Sequence, residues 1–477
     1  MKIKTLHPYS SDSGKKKHIY KIKGELEVIV HITSNPLELD MDELFLMAAR
    51  VNKKRSFLFV SKVLGKHIPV NPHVSLLGGA ALAVLLQNAF EGEMTVDLPE
   101  IVQAIRQPSL YAEQVYAKLK HNPLPLNGPH LFIGFAETAT ALGHSMYDAC
   151  SGTTQYLHTT RESIRELTSL ISFEEEHSHA TAHRCYAIDA AFFQGTQPVV
   201  LVDDEITTGK TALNMIRDLQ MKFPRSRYIV ASLLDWRSAT DRDKFTALEE
   251  ELGIEISCLS LIAGELEVIG DSIDMHETRK PALERTHASQ LAKHYLYGQF
   301  EHLQVTSEDS SGHINDQPYV SLSGRFGLAC TDNAAFDRQV AAAGAFLKTQ
   351  RTGKSTLCLG TGEFMYLPMR IAAEMGEGIL YQSTTRSPIH ASNDAGYAIQ
   401  SRASYTSPED PAVLNFLYNI PVGHYDELFV FLEREVSQEA FVPFLEALER
   451  TQTTQLHLVY FSPEMKQANE SKKEIRS

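Results

Sequence analysis

Short apolar runs alternate with helix-patterned stretches along most of this chain. ELEVIVHI (25–32), LFIGF (131–135), VVLV (199–202) and RYIVASLL (227–234) are rich in β-branched and aromatic residues and read as strands. GGAALAVLLQNAF (78–90), VDLPEIVQAIRQP (96–108) and TALNMIRDL (211–219) carry apolar residues at helical spacing. Strand and helix in alternation predict a doubly wound parallel α/β sheet, with ligand loops gathered at the carboxyl ends of its strands. Near the start, MDELFLMAARV (41–51) reads as a helix, and KRSFLFVSKVLGKHIPV (54–70) as two strands around a glycine turn. After TTRES (159–163) the pattern turns helix-like again.

The polar ends and middle divide the chain. Residues 1–24 read as a flexible arm, 25–300 as a first domain, 301–322 (HLQVTSEDSSGHINDQP at its centre) as a linker, 323–465 as a second domain and 466–477 as a polar tail. An internal repeat crosses that linker: residues 133–164 align with 359–390, pairing Gly134 with Gly360, Glu137 with Glu363, and the Thr-Thr-Arg of 159–161 with that of 384–386. Further on, VLVDDEITTGKTAL (200–213) pairs with VFLEREVSQEAFVP (430–443), where Glu433 and Arg434 replace two acids and no Thr-Gly loop survives. Chance likeness between two α/β units is the competing account.

Composition narrows the function. With 477 residues, 43% hydrophobic and 22% charged, the chain is globular and larger than one ordinary domain. A net charge of -14, from 59 acids against 45 bases, argues against nucleic-acid binding and for small-molecule chemistry. Five scattered cysteines without metal-ligand spacing suit a reducing, cytoplasmic setting. No apolar run approaches a membrane span and no targeting segment is legible, so no membrane partner is expected.

VVLVDDEITTGKT (199–211) carries the chemistry. A buried strand ends in Asp203 and Asp204 and runs into a loop, Thr207, Thr208, Gly209, Lys210 and Thr211, that opens a helix. Loop amides, hydroxyls and the helix dipole suit a phosphate, while the two acids lie one sugar-length away, able to accept from vicinal hydroxyls or help to hold magnesium through ligand or water. Together these features describe a site for ribose 5-phosphate. The nucleotide-binding Walker loop, which GKT imitates, needs a glycine where Asp204 stands. Plain turn and cap chemistry explains Asp204 and Thr208 singly but not the whole string.

The string resembles the PRPP-binding motif of type I phosphoribosyltransferases. By that resemblance Asp203 and Asp204 contact the ribose, and residues 207–211 cradle the 5-phosphate. The loop after the first core strand, Ala136, Glu137, Thr138, Ala139 and Thr140, would receive pyrophosphate, with Glu137 left to magnesium or the acceptor. The segment FEEEHSHATAHRCY (173–186) holds the place of the mobile catalytic loop, with Arg161, His179, His183 and Arg184 as its cations; His177, His179 and His183 match no closed zinc site. The piece 54–70 is similar to the hood of orotate phosphoribosyltransferases, offering Arg55, Ser56, Lys62, Lys66 and His67 to an acceptor, though exposed hairpin charges explain any one of them.

With GTGEFMYLP (360–368) and TTRSP (384–388), the chain resembles a bacterial family that joins an orotate-transferase-like domain to a TRSP domain. The resemblance implies PRPP-dependent transfer of ribose 5-phosphate with magnesium to an unidentified nucleophile. It also implies tellurium-resistance and stress-response gene clusters, a nucleoside-like metabolite and, as an oligomer, a homodimer. A PRPP sensor without turnover is the alternative. The second domain is expected to be a degenerate phosphoribosyltransferase-like sheet with Glu363, Thr384, Thr385, Arg386 and Ser387 facing one cleft.

Overall fold

The structure, a computed structural model, describes residues 17–51, 55–91, 98–174, 182–270 and 289–465. Strands β1 (Lys17–Lys23) and β2 (Leu26–Ser34) pair antiparallel, so the described part of the expected arm is a strand, and residues 1–16 lie outside the described residues. The helix expected at 41–51 is one turn, Met41–Leu44, before β3 (Phe45–Ala49), which pairs antiparallel with β4 (Phe57–Ser61). One turn is a poor nucleus, and FLMAA gains more by packing on FLFVS than by coiling. The partner of β4 is therefore β3, not a strand after Gly65. Helix α1 (Pro72–Glu91) is long and apolar enough to cross a membrane, contrary to the sequence expectation, but 78% of its apolar stretch is buried inside the protein. A helix apolar on every side is at home in the core of a large molecule.

The first sheet is assembled from strand–helix units. In chain order they are β5 (His130–Gly134), α2 (Ala139–Asp148), β6 (Thr154–His158), the hairpin β7 (Ile171–Glu174) and β8 (Ala182–Cys185), β9 (Val199–Ile206), α3 (Lys210–Lys222), β10 (Arg227–Asp235), α4 (Ala239–Leu252) and β11 (Glu255–Ile269). Residues 164–170, expected to continue as a helix, form no helix before the hairpin. Strands β11, β10, β9, β5 and β6 run parallel in that order, with β2 and β1 added antiparallel at the β11 edge.

The second sheet uses β12 (Gln290–Tyr295), β13 (Thr356–Gly360), α5 (Tyr366–Glu374), β14 (Ile379–Ser383), the hairpin β15 (Arg402–Thr406) and β16 (Leu414–Tyr418), β17 (Glu427–Leu432), α6 (Gln438–Glu449) and β18 (Gln455–Tyr460). Its parallel order, β12, β18, β17, β13, β14, repeats that of the first sheet strand for strand, with β12 in the position of β11. The repeat extends to detail. The Tyr156 hydroxyl donates to Thr140 O at 2.6 Å and the Tyr381 hydroxyl to Met365 O at 2.8 Å, and a Cβ on Gly134 or Gly360 would meet that same hydroxyl at 2.9 or 2.8 Å. Thr160 bridges to Arg184 in one hairpin as Thr385 does to Phe416 in the other.

The expected linker is folded instead. Because β12 starts at Gln290, the second sheet begins before 301, while Ser307–Glu308 pairs with Ser163–Ile164 and Leu328–Ala329 adds to β6 of the first sheet. The chain thus crosses between the sheets more than once, and 301–322 forms short ladders at 302–303, 307–308, 314–315 and 319–320. The expected tail, 466–477, lies outside the described residues.

Buried charge fastens the two halves. Arg325, 2% exposed, donates through Nη1 to Glu363 Oε2 at 2.7 Å and Thr160 Oγ1 at 2.7 Å, and through Nη2 to Glu433 Oε2 at 3.0 Å. Glu162 approaches the same guanidinium at 3.1 Å. Arg434 binds Ser307 and Glu162, and the two guanidiniums lie over the ring of Tyr319 at 5.2 and 4.0 Å. Burial pushes the Glu363 carboxyl up, but Arg325 outweighs it and holds the group down at about 2. Burial lowers His158 to about 4, with Arg325 adding to the shift.

Removing one member of such a cluster strands the others, so Arg325→Met is expected to cost about 3–5 kcal/mol in urea unfolding. A loss under about 1 kcal/mol would contradict the clamp. For acid, the sign follows from the lowered pKa values. A histidine kept neutral when folded contributes stability that is complete above about 6.5 and lost as pH falls toward about 4, and Glu363 adds a loss between about 4.5 and 2. His158 should therefore pull the melting temperature down between pH 7 and pH 4, so a His158→Gln variant should show a shallower fall over that range than the parent, and an equal slope in the two would show that His158 is not held as described.

Candidate functional site

β9 is a central strand, with Val199, Val200, Leu201 and Val202 at 0% exposure between β5 and β10. It runs on to Ile206, so Asp203, Asp204 and Glu205 lie half-buried at its carboxyl end. Asp203 Oδ1 accepts from the Asp204 amide at 2.9 Å, which directs the turn. Gly209 caps α3 in the left-handed region at φ 71, and a Cβ there would sit 2.4 Å from the Phe245 ring, so glycine is required twice over. The amides of Thr207, Thr208 and Gly209 find no acceptor among the described residues. Lys210 and Thr211 begin the helix. Converging amides ahead of a helix make an anion seat.

The neighbouring strand β5 brings a second loop beside the first. Phe135 N donates to Val202 O, and a Cβ on Gly134 would lie 2.4 Å from Ala139 O, so the loop doubles back tightly over the strand end. Ala136 N donates to Thr159 Oγ1 at 2.8 Å, and Thr140 Oγ1 donates to Glu137 O at 2.9 Å. Ala139 and Thr140 open the fully buried α2. The amides of Glu137 and Thr138 have no acceptor among the described residues. Two amide-lined loops on adjacent parallel strands can hold a ligand with an anion at each end.

The hood reaches both loops. Arg55 pairs with Glu205 and stacks over Phe57 at 4.8 Å, and Lys66 Nζ donates to Thr138 Oγ1. Lys62 and His67, expected beside them, are elsewhere. The Lys62 ammonium donates to Asp42 O at 2.7 Å on the outer surface. His67 is buried against Tyr418 of the second domain, with a pKa pushed well down by burial. Ser56 serves the hairpin, its carbonyl accepting from Arg50 N.

The expected lid cations are redistributed. His183, 0% exposed, stacks on Phe173 and meets Thr159 Oγ1 at 2.9 Å, so it supports the β5 loop from below instead of facing a ligand. Its place on an inward-facing strand position of the hairpin accounts for this. His177 and His179 lie outside the described residues. Arg184 Nη1 donates to Arg161 O, and both side chains line a cleft between the two domains rather than the PRPP loop. Arg161 also pairs with Glu137 Oε2 at 3.3 Å.

Glu137 and Glu363 exchange partners across the domain boundary. Arg386 N donates to Glu137 Oε1 at 3.1 Å, and Arg161 N donates to Glu363 Oε1 at 2.8 Å, so each repeat's loop acid caps the other repeat's Thr-Thr-Arg turn. Glu137 thereby couples the two domains. Thr160 Oγ1 donates to Glu363 Oε2 and Thr385 Oγ1 accepts from Ser387 N, while Thr384 Oγ1 accepts from Gly362 N. Glu363, Thr384 and Arg386 line one cleft at the carboxyl edge of the second sheet. Thr385 and Ser387 stand beside it in the turn.

Residues 44–265 match the model of a phosphoribosyl transferase family, and residues 322–448 match that of the TRSP domain, described as C-terminal to it. The chain belongs to the phosphoribosyl transferases that carry a C-terminal TRSP domain. It is accordingly a phosphoribosyltransferase enzyme of α/β fold. No curated protein matches its sequence. Solved structures similar to it include an adenine phosphoribosyl transferase from Trypanosoma brucei in complex with AMP, pyrophosphate and ribose-5-phosphate: 12% identity, 53% of this chain and 91% of that chain covered, TM-score 0.28. The adenine enzyme of Giardia lamblia, complexed with 9-deazaadenine, shows 14% identity over 34% and 84% of the two chains, TM-score 0.19. A hypoxanthine phosphoribosyltransferase from Staphylococcus aureus shows 13% over 26% and 60%, TM-score 0.17. Scores this low tie the transferase to no particular base.

Glu205, Glu162, Arg325 and Tyr319 are the important residues that the sequence alone does not single out. Glu205 continues the acidic string and could have been found there, whereas Arg325 sits in a polar segment with all its acidic partners distant in sequence. Gly209→Ala should weaken PRPP binding at least tenfold, because it adds backbone strain of about 1–3 kcal/mol and moves Phe245. Calorimetry giving wild-type affinity in this variant would remove the 207–211 loop from the site.

Proposed function

We propose that the first domain transfers the 5-phosphoribosyl group of PRPP to a nitrogenous or related small-molecule nucleophile, with release of pyrophosphate, in the cytoplasm. The observation that carries this reading is the pairing of the 207–211 loop on β9 with the 135–139 loop on the adjacent parallel β5. The 5-phosphate rests on the amides of Thr207, Thr208 and Gly209, the ribose hydroxyls on Asp203 and Asp204, and pyrophosphate on the amides of Glu137 and Thr138. Arg55 and Lys66 reach the same edge from the hood, where an acceptor enters.

Magnesium fits these residues. The Asp204 carboxylate has no ion pair among the described residues, and no group of three or more His, Cys, Asp or Glu among them could cage a metal alone. That donor set suits an ion held through water and the ligand's own phosphates. When bound, magnesium would neutralise charge on the leaving pyrophosphate. The chain's own contribution is position: two fixed anion seats hold the sugar between them, and the β9 carboxylates face its hydroxyls as positive charge develops at the ribosyl carbon. Free, buried cysteines support the cytoplasmic setting: Cys150, Cys185, Cys258 and Cys358 are all unpaired and buried. The family resemblance suggests a nucleoside-like product in a stress or tellurium-resistance setting.

Calorimetry with PRPP and magnesium, followed by pyrophosphate release over a panel of bases, tests the proposal. Asp203→Asn with Asp204→Asn should keep the fold and weaken PRPP at least tenfold, since two hydrogen bonds to charged groups are worth about 1.5–3 kcal/mol each. Unchanged affinity would sink the sugar-site assignment. Binding without release from any base would instead favour a regulatory PRPP sensor.

A further inference from the structure

The cleft at the carboxyl edge of the second sheet encloses about 650 Å³. Pockets for small ligands span about 300–1,000 Å³, and the carboxyl edge is where parallel α/β sheets bind them. Its floor is Thr361, Gly362 and Glu363 after β13, Thr384 after β14 and Glu433 after β17. The first domain supplies the facing wall through Arg161, Glu162 and Arg184. Neither domain makes this cleft alone.

Its charges are unevenly committed. Arg325 and Arg434 are spent on the buried clamp. Arg386 gives its backbone amide to Glu137, but its guanidinium has no hydrogen bond or ion pair among the described residues. Arg184 spends one nitrogen on Arg161 O, which leaves the rest of its planar fork for a ligand. Both guanidiniums line the cleft, and a guanidinium takes phosphate in bidentate fashion.

A second pole is made for hydroxyls. Glu409 lines the cleft with 38% of its side-chain surface open, and its ion-pair partner Arg434 stands at 3.5 Å. Its setting in the cleft wall, with the negative charge of Glu162 and Glu433, pushes the carboxyl up to about 7 against the opposing pull of Arg434 and Arg325. A carboxyl near neutrality can both donate to and accept from a hydroxyl, and Asn415 can do the same. The place of the first domain's phosphate loop is closed: Phe444 of α6 stacks on Tyr405 at 4.3 Å, and Glu433, in the acid position, is held by Arg325 and Val320 N. An anion entering this cleft must sit between the domains.

We propose that the interdomain cleft is a second ligand site, binding a phosphorylated ribosyl compound with its phosphate on Arg386 and Arg184 and its hydroxyls toward Glu409 and Asn415. The choice of ribose rests on the transferase reading of the first domain, whose product has that chemistry; the cleft and its two poles do not. PRPP is excluded as its ligand, because the acid pair and the phosphate loop are both missing.

Ribose 5-phosphate is the probe, titrated into the full chain by calorimetry. Two equivalents should bind. Asp203→Asn with Asp204→Asn should remove one, and Arg386→Gln with Arg184→Gln should weaken the other at least tenfold while PRPP affinity changes less than twofold. A single equivalent lost with the aspartates and untouched by the arginines overturns the cleft and leaves the transferase reading standing. A single equivalent lost with the arginines and untouched by the aspartates does the reverse, and no binding overturns both. If the arginine variant melts early, Glu409→Gln reads the same site from its rim. It should weaken the cleft equivalent at least threefold and flatten its pH dependence between about 6 and 8, and full affinity with unchanged pH dependence would refute the assignment.

Discussion

Arg325 is a charge that can be buried only because both halves of the chain supply its counter-ions. Taking a guanidinium out of water costs several kcal/mol, and Glu162 from the first half with Glu363 and Glu433 from the second offset it. Glu363 stays ionised there because of it, its carboxyl held down at about 2 against the effect of burial. This mutual need fixes the relative position of the two sheets together with the apolar core they share and the buried Arg370–Asp148 pair. The walls of the interdomain cleft are the same residues or their sequence neighbours.

The two repeats have kept their frame and changed their use of it. Gly134 and Gly360 face equivalent tyrosines, Glu137 and Glu363 cap each other's turns, and the five strands keep one order. What differs is the end of the third core strand. In β9 the acids face a loop of open amides, whereas after β17 Glu433 and Arg434 turn to the clamp and Phe444 with Tyr405 fill the space beyond. The residues that stand where the first domain has its sugar acids are thus the ones that hold the two domains together. Because Glu137 of the pyrophosphate loop accepts from Arg386 N, a ligand on Arg386 and a ligand on the first loop share a contact, and the two sites are physically adjacent rather than merely tethered.

Much was legible from local pattern. Val199 to Val202, the acids and Thr-Thr-Gly-Lys-Thr determine a buried strand, a sharp turn and a helix start whatever surrounds them, because alternation, glycine and β-branching act over a few residues. The repeat was legible for the same reason: matched glycines, acids and turns recur at matched spacing. What tertiary structure alone decided is the fate of side chains whose partners are far away in sequence. His183 and His67 look like cations on polar segments and are core residues, since hairpin and hood fold inward onto surfaces no local pattern announces. MDELFLMAARV has helical spacing but becomes a strand because β4 is there to pair with it. The polar 301–322 segment reads as a linker and is a seam, paired by short backbone ladders with itself and with Ser163–Ile164 of the first half. Local sequence sets which backbone shapes are cheap; burial and long-range charge pairing, which depend on the whole assembled chain, set which of them a residue finally serves.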